Sequence, residues 1–393
     1  MSDTTNFFDN KKRWSTFKDQ LLDYYLTLYF PKILSTGKDT LFIDGFAGQG
    51  VFKDGTIGSP IIVRDKAALA MERTKFKSKI IPIFVEFKKK NVTSLVKNLN
   101  CDWCYVLQGD YKEKVREIIT KDKNLKKNIF LYVDPFGIKH IQFDIFQSLA
   151  KNPNSVELLM NLSSFGFIRE GCRLLGADFS DGSSDENEDT YDDTGFVNDI
   201  TNMNSIAHGT YWQEIIEKKK KGDLSGLEAE RLFVEKYMNE LQSIFKYVFQ
   251  VPIKTGDDKM PKYRMVYATN NIQGALLMSE NMIKCNNDMN ITNHGFQTSI
   301  FDYDYKKINC KDDLKDVLKS TIGVERWVDC AELYLLLNKT KGALYLHKDY
   351  TKALHELEDN SIIEIEREEK YTSTGKVSKA LDFIKTKIKV KLK

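Results

Sequence analysis

The sequence predicts an α/β protein built on a doubly wound, mostly parallel Rossmann-like sheet with an antiparallel last strand pair, followed by a small domain of helices and a β wing. Three observations carry this. The apolar run Leu41-Phe42-Ile43 stops at Asp44, and Gly45, Gly48 and Gly50 follow. That is the pattern of a buried parallel strand opening into a turn where the main chain approaches a ligand closely. Successive apolar runs end on polar or acidic residues with helical stretches between them, which gathers those residues along one sheet edge. Finally, two short apolar runs, Phe245 to Val251 and Met265 to Thr269, are joined by a segment rich in Pro, Gly and Asp, which reads as a hairpin and adds the antiparallel edge.

Composition limits the classes open to the chain. Its 393 residues suggest two to three domains of about 150 residues, and 41% hydrophobic with 29% charged residues is the balance of a protein with a sizeable core. A net charge of +3, from 59 basic and 56 acidic residues, gives no global attraction for nucleic acid, so charge has to be read locally. The amino terminus lacks an apolar leader and no run approaches the ~18 apolar residues of a membrane span, so a cytoplasmic protein with no membrane partner is expected. Six scattered cysteines are not a disulfide framework. Cys101-Asp-Trp-Cys104 has no second pair, so structural or incidental cysteines, and no metal, are expected.

In chain order, Trp14, Phe17, Leu21, Tyr24, Tyr25 and Leu28 fall at helical spacing with Lys18, Asp19 and Gln20 between them. They predict an amphipathic helix that covers one sheet face. After the detour from Val51 to Gly58, Ser59 as N-cap and Pro60 at the first helical position start a helix through about Arg73, pointing its amino terminus back at the glycine turn. Ile80 to Glu86 reads as a second strand ending in a carboxylate, placed as ribose-binding acids are. It lies 42 residues beyond Asp44 (86 − 44), against ~20 in a minimal dinucleotide unit, and the detour accounts for the excess.

A third strand, Tyr105 to Asp110, closes on Gly109-Asp110. A fourth, Ile129 to Pro135, ends on Asp134-Pro135-Phe136-Gly137, and a fifth is Val156 to Leu162 before Ser163. The acidic stretch at about 178–195 reads as a mobile surface loop and lacks EF-hand spacing. Helices are expected from Ser225 to Ser243 and from Ile272 to about Ile283, the latter closing a first domain at 1–305. In the second, 306–393, helical patterns at Leu314 to Leu318, Val328 to Leu337 and Tyr350 to Leu357 precede a strand-like Ile362 to Glu366, as in winged helix-turn-helix modules. The end, Lys385 to Lys393, alternates lysine with Thr, Ile, Val and Leu, and is expected to be frayed and solvated.

Asp44-Gly45-Phe46-Ala47-Gly48-Gln49-Gly50 has the form D-x-F-x-G-x-G, similar to the glycine turn of class I S-adenosylmethionine-dependent methyltransferases. The dinucleotide fingerprint fails because Lys53 stands where a third glycine belongs, and no phosphate-loop motif is present. Together with Gly58-Ser59-Pro60, Phe84-Val85-Glu86, Tyr132 to Gly137 and Val266 to Asn270, the turn resembles the three-Cys-motif partner family (TcmP) over residues 10 to 370 or so. That resemblance implies a methyltransferase-like fold with a carboxy-terminal winged-helix domain, S-adenosylmethionine as cofactor and a partner of radical-S-adenosylmethionine type. Asp44, Gly45, Phe46, Ala47, Gly48 and Gly50 would surround the methionine moiety, Glu86 the ribose and Asp110 the adenine amino group. Asp134 would be the catalytic acid at the transfer site, with Pro135 and Phe136 on the acceptor side.

One departure stands at that mouth. Base-amine methyltransferases use [DN]-P-P-[YF], with the aromatic residue stacking on an extruded base. Here Phe136 sits one place early and Gly137 takes the aromatic position, so Asp134 either serves transfer or caps the next turn. Two functions stay open: a methyltransferase acting on nucleic acid or a partner protein, and a non-catalytic cofactor-binding adaptor of a radical enzyme. In the tail, the acids Asp349, Glu356, Glu358, Asp359, Glu364 and Glu366 oppose duplex phosphate. Docking of a protein partner or positioning of the catalytic domain by residues 310–393 is therefore expected ahead of DNA reading, unless the terminal lysines supply a separate grip.

Overall fold

Helix α1 (Arg13–Leu34) lays two side-chain rows on the sheet, Leu21-Tyr25-Tyr29 and Leu22-Leu26-Phe30-Ile33, all buried. Tyr24 and Leu28, expected on the buried face, are 44% and 55% exposed. At about 100° per residue they form a separate i, i+4 row turned to solvent. The computed structural model describes residues 13–121, 126–179, 197–253, 261, 263–294, 310–341, 345–368 and 379–393. Most of the acidic stretch expected at 178–195 lies outside these residues. The chain divides into Met1–Asn271 and Ile272–Lys393.

In the first unit, strands β1 (Thr40–Asp44), β2 (Ile80–Glu86), β3 (Tyr105–Gln108), β4 (Asn128–Val133), β5 (Val156–Leu162), β6 (Tyr247–Ile253) and β7 (Tyr263–Thr269) form one sheet in the order β3-β2-β1-β4-β5-β7-β6. β7 runs antiparallel to both β5 and β6, and the other pairings are parallel. The central strands read as unbroken apolar runs because both faces are covered. On the α1 side, Phe42 stacks on Phe130 at 4.9 Å, with Phe30 and Tyr29 at the edges; α2 (Ser59–Arg73) packs beside α1, and α3 (Lys89–Leu99) beside α2.

The opposite face carries α4 (Tyr111–Thr120), α5 (Phe143–Ala150), α6 (Ser164–Leu175), α7 (Ile200–Ala207), α8 (Tyr211–Lys220) and α9 (Gly226–Gln242). They bury Val115, Phe146, Phe167, Trp212, Phe233 and Tyr237 against Leu41, Ile43, Leu131 and Leu158. Each such side chain is worth about 2 kcal/mol of burial. Ser225 begins α9 with a capping box to Glu228. Asn100 takes the left-handed conformation after α3, and Cys101 is joined to Cys104 by a disulfide just beyond that reversal, a local link rather than part of a disulfide framework.

The second unit contains α10 (Ile272–His294), α11 (Cys310–Val317), α12 (Cys330–Lys341) and α13 (His347–Asp359), with β8 (Val328–Asp329), β9 (Ile363–Arg367) and β10 (Ile388–Leu392) in the order β8-β10-β9. Two expectations are corrected here. α10 belongs to this unit, so the division falls at 271/272 and not near 305: α10 packs on α12, and its Glu280 pairs with His347 of α13. The chain end is no frayed tail but the central strand of the sheet. Ile388, Val390 and Leu392 are buried, while Lys389 and Lys391 face Glu366 and Glu364 across the ladder. The lysine alternation is a half-buried strand pattern with period two. Among the described residues no helix is long and apolar enough to cross a membrane.

Candidate functional site

The carboxyl ends of β1, β2, β4 and β5 meet the glycine turn at one sheet edge. The carboxylate of Asp44 is fully buried and works on the turn itself: Oδ1 accepts from the Phe46 N–H (3.0 Å) and Oδ2 from Ser59 Oγ (2.7 Å). Ser59 therefore does not cap α2 through its side chain, as its sequence position had suggested. The N-cap is Gly58, which has no side chain to cap with, because the helix already begins at Ser59. Among the described residues no cation pairs with Asp44, and burial pushes its pKa up to about 7.

The turn is shaped by its glycines in two ways. Gly48 and Gly50 have φ of 64° and 80°, conformations that side chains resist. Gly45 lacks positive φ, but a Cβ there would come within 2.6 Å of the Tyr111 ring. Phe46 leans on that ring at 4.7 Å, and His140 meets Phe46 edge-on at 5.7 Å. Burial holds the His140 imidazole down to about 4, hence neutral at pH 7. Main-chain bonds anchor the turn from below, Gly45 N–H to Tyr132 O and Ala47 N–H to Val85 O.

Glu86, at the end of β2, accepts from the Gly48 N–H through Oε2 (2.9 Å) and from the Lys88 N–H through Oε1 (2.7 Å). Oε1 also accepts from Asn91 Nδ2 (3.2 Å), so the lone pair left over is on Oε2. Asp110 caps α4, accepting from the Lys112 N–H at 2.8 Å. Neither Glu86 nor Asp110 lines the cleft formed by Phe46 to Phe52, Gly58, Ser59, Asp134, Pro135, Phe136 and Asn161. The structure thus brings the turn, Asp134, Pro135 and Phe136 together and leaves Glu86 and Asp110 at neighbouring strand ends.

Asp134 does not stand free at the mouth. Lys18, reaching from α1, donates to both of its oxygens (2.8 and 2.7 Å), and Asn161 Nδ2 donates to Oδ1 (2.8 Å). The Lys18 ammonium also sits 5.7 Å from the centre of the Tyr263 ring. Asn161 is 2% exposed and its Oδ1 has no partner, a buried acceptor on the wall of the cleft. Beyond it, Arg264 grips Glu230 through two bonds (2.6 and 2.7 Å), and Ser164 donates to the same carboxylate.

Lys18, Asn161 and Tyr263 were not singled out from the sequence. Signals for two of them existed: a lysine at the apolar spacing of Phe17 and Leu21, and an asparagine inside the otherwise apolar end of Val156–Leu162.

A sheet of order 3-2-1-4-5-7-6 with an antiparallel seventh strand, carrying a glycine turn after its first strand, defines a Rossmann-like methyltransferase fold. Among solved structures, similar chains include the plantazolicin methyltransferase BamL in complex with a triazolic desmethylPZN analogue and SAH (14% identity, 66% of this chain and 87% of that one, TM-score 0.31). Another is the spermidine synthase from Thermotoga maritima (8% identity, 70% of this chain, TM-score 0.32). This chain spans 65% of the length of that synthase. No family model and no curated protein matches the chain.

The residues present fit an S-adenosyl cofactor. The turn is main chain with Cβ-free approaches, acids with spare lone pairs stand at adjacent strand ends, and the unpartnered Asn161 oxygen offers one more acceptor.

Proposed function

We propose that this chain is an S-adenosylmethionine-dependent methyltransferase acting on nucleic acid or a partner protein, with the second unit selecting the target. The observation that carries the reading is the shared cleft: the glycine turn after β1 and the carboxylate after β4 line one cavity. In this reading Gly45 to Gly50 receive the methionine part of the cofactor, Glu86 takes the ribose hydroxyls and Asp110 the adenine amino group. The cofactor supplies a sulfonium-bound methyl group. Asp134 orients the acceptor and receives its proton, Asn161 and Lys18 hold Asp134 in place, and Pro135 and Phe136, the latter 49% exposed, form the acceptor wall.

A second reading, an adaptor subunit of a radical-S-adenosylmethionine-type enzyme related to the three-Cys-motif partner family, is favoured by one observation. Asp134 is already engaged by Lys18 and Asn161, as a purely structural group would be. A winged-helix reading of the second unit, as a protein-docking module, goes with both. It draws support from the pairing of the terminal lysines with Glu364, Glu366 and Glu325, which leaves them little positive field for duplex phosphate.

Titration calorimetry separates the cofactor assignment from its alternatives. The parent chain should bind both S-adenosylmethionine and S-adenosylhomocysteine, and Glu86→Ala and Gly48→Val should lose at least about tenfold in affinity, the cost of one charge-assisted bond or of a strained turn. No binding by the parent at millimolar cofactor would overturn the assignment. Turnover of the bound cofactor in the presence of candidate acceptors then divides the enzyme from the adaptor.

A further inference from the structure

We propose that Lys18 is itself a methyl acceptor of this site, so that the chain methylates its own α1 helix. The proposal rests on the reading above, in which the cleft holds S-adenosylmethionine, and it names the nitrogen that reading places next to the catalytic carboxylate.

Lysine is rarely buried, yet Lys18 is 7% exposed, and its ammonium reaches an acid 116 residues away instead of water. Removing both charges from solvent costs free energy that their attraction only partly offsets, so an ion pair of this kind is poor value as a fastener. Its position is informative. Lys18, Asp134, Asn161 and Tyr263 line the same cleft as Phe46 to Gly50. An acceptor nitrogen in this site has to donate to Asp134 and come close to the turn. Lys18 Nζ already does the first, at 2.7 and 2.8 Å, from a position lining the cleft that the turn also lines. Tyr263 offers the aromatic face that stabilises a cation as its hydrogens are replaced by methyl groups.

The chemistry balances without a further reactant. Nζ hands one proton to Asp134, from which it passes to water, along the bonds already in place. The freed lone pair attacks the methyl carbon, the carbon–sulfur bond breaks and its electron pair returns to sulfur, giving S-adenosylhomocysteine. The product is a methylammonium that keeps its charge and remains a donor to Asp134. One proton is released for each methyl group.

The full-length chain, incubated with S-adenosylmethionine carrying a deuterated methyl group, is digested and its peptides fragmented. Label is expected on Lys18, none at that position in Lys18→Arg, and accumulation slower by on the order of a hundredfold in Asp134→Asn. A second readout needs no turnover. Lys18→Met removes a cation beside the sulfonium, so affinity for S-adenosylmethionine relative to the uncharged-sulfur S-adenosylhomocysteine should rise roughly threefold or more, as a like-charge repulsion at intermediate dielectric is lost. Cofactor binding with Lys18 left unlabelled, label that persists at an unchanged rate in Asp134→Asn, or an affinity ratio that does not move would each overturn the proposal and leave the cofactor assignment standing. If neither cofactor form binds the parent chain, the underlying reading fails and the proposal falls with it.

Discussion

Carboxylates at the strand ends of the first unit and carboxylates on the strand faces of the second are governed by different physics. Among the described residues, Asp44 and Glu157 are buried with no cation partner. Asp44 leans on an amide and a hydroxyl, and Glu157 accepts from Tyr25 beneath α1. Burial pushes both pKa values up to about 7. Glu364 and Glu366 stand at the surface and pair with lysines of the neighbouring strand. Asp134 lies between these extremes, partly buried with one largely buried lysine. The same functional group is an energetic liability, a hinge of the site or a solvated ornament according to how much water its neighbours displace.

The largest effect should come from the second unit's sheet itself, not from its charges. Deleting residues 385–393 removes the central strand and the buried Ile388, Val390 and Leu392. It should expose the 310–368 region to limited proteolysis while the first unit stays resistant. A truncated chain as resistant as the parent would show that β10 is dispensable and break the contrast.

Next comes the pH response of the buried acids. Asp44 and Glu157 hold a proton more tightly folded than unfolded, so the folded state carries extra protons between about pH 4 and 7. The contribution of these two groups to stability should therefore be fully present at and below about pH 4, fall as pH rises from there to about 7, and flatten above that. Each group contributes up to about 4 kcal/mol. Urea unfolding across this range should show the slope, and Asp44→Asn or Glu157→Gln should each flatten it and leave the protein as stable as, or more stable than, the parent at pH 8.

Asp134→Asn should cost less, about 1–2 kcal/mol, because it strands the ammonium of Lys18 beside a side chain that is 25% exposed and spares the Asn161 contact. The Lys18→Met, Asp134→Asn double variant should recover most of that loss, and a double-mutant cycle read by thermal denaturation measures the coupling. Smallest of all, Glu364→Gln should leave the melting temperature within error, with any residual shift vanishing at 1 M salt, where screening is complete within about 3 Å. A salt-resistant shift there would erase the distinction between face and edge.

Much of the architecture was legible before any coordinates. Unbroken apolar runs ending in acids announced parallel strands covered on both faces, the glycine spacing after Asp44 announced the turn, and the antiparallel pair followed from two short runs with a breaker-rich connection. These are local signals, set by a period of two or 3.6 residues and by conformations that only glycine accepts readily, so sequence by itself determined them. Long-range partnership was not legible. That Lys18 would meet Asp134, that Asn161 would steady the same carboxylate, that Ser59 would turn from its helix to Asp44 and that α10 would pack with the second unit all depend on contacts between distant residues. Only the tertiary structure decided them, because a polar side chain commits to the strongest partner that folding brings within 3 Å. The last strand shows both halves of the lesson: its alternation of lysine and apolar residues was visible throughout, but the partner strands that make such alternation a sheet centre, and not a solvated end, come from elsewhere in the chain.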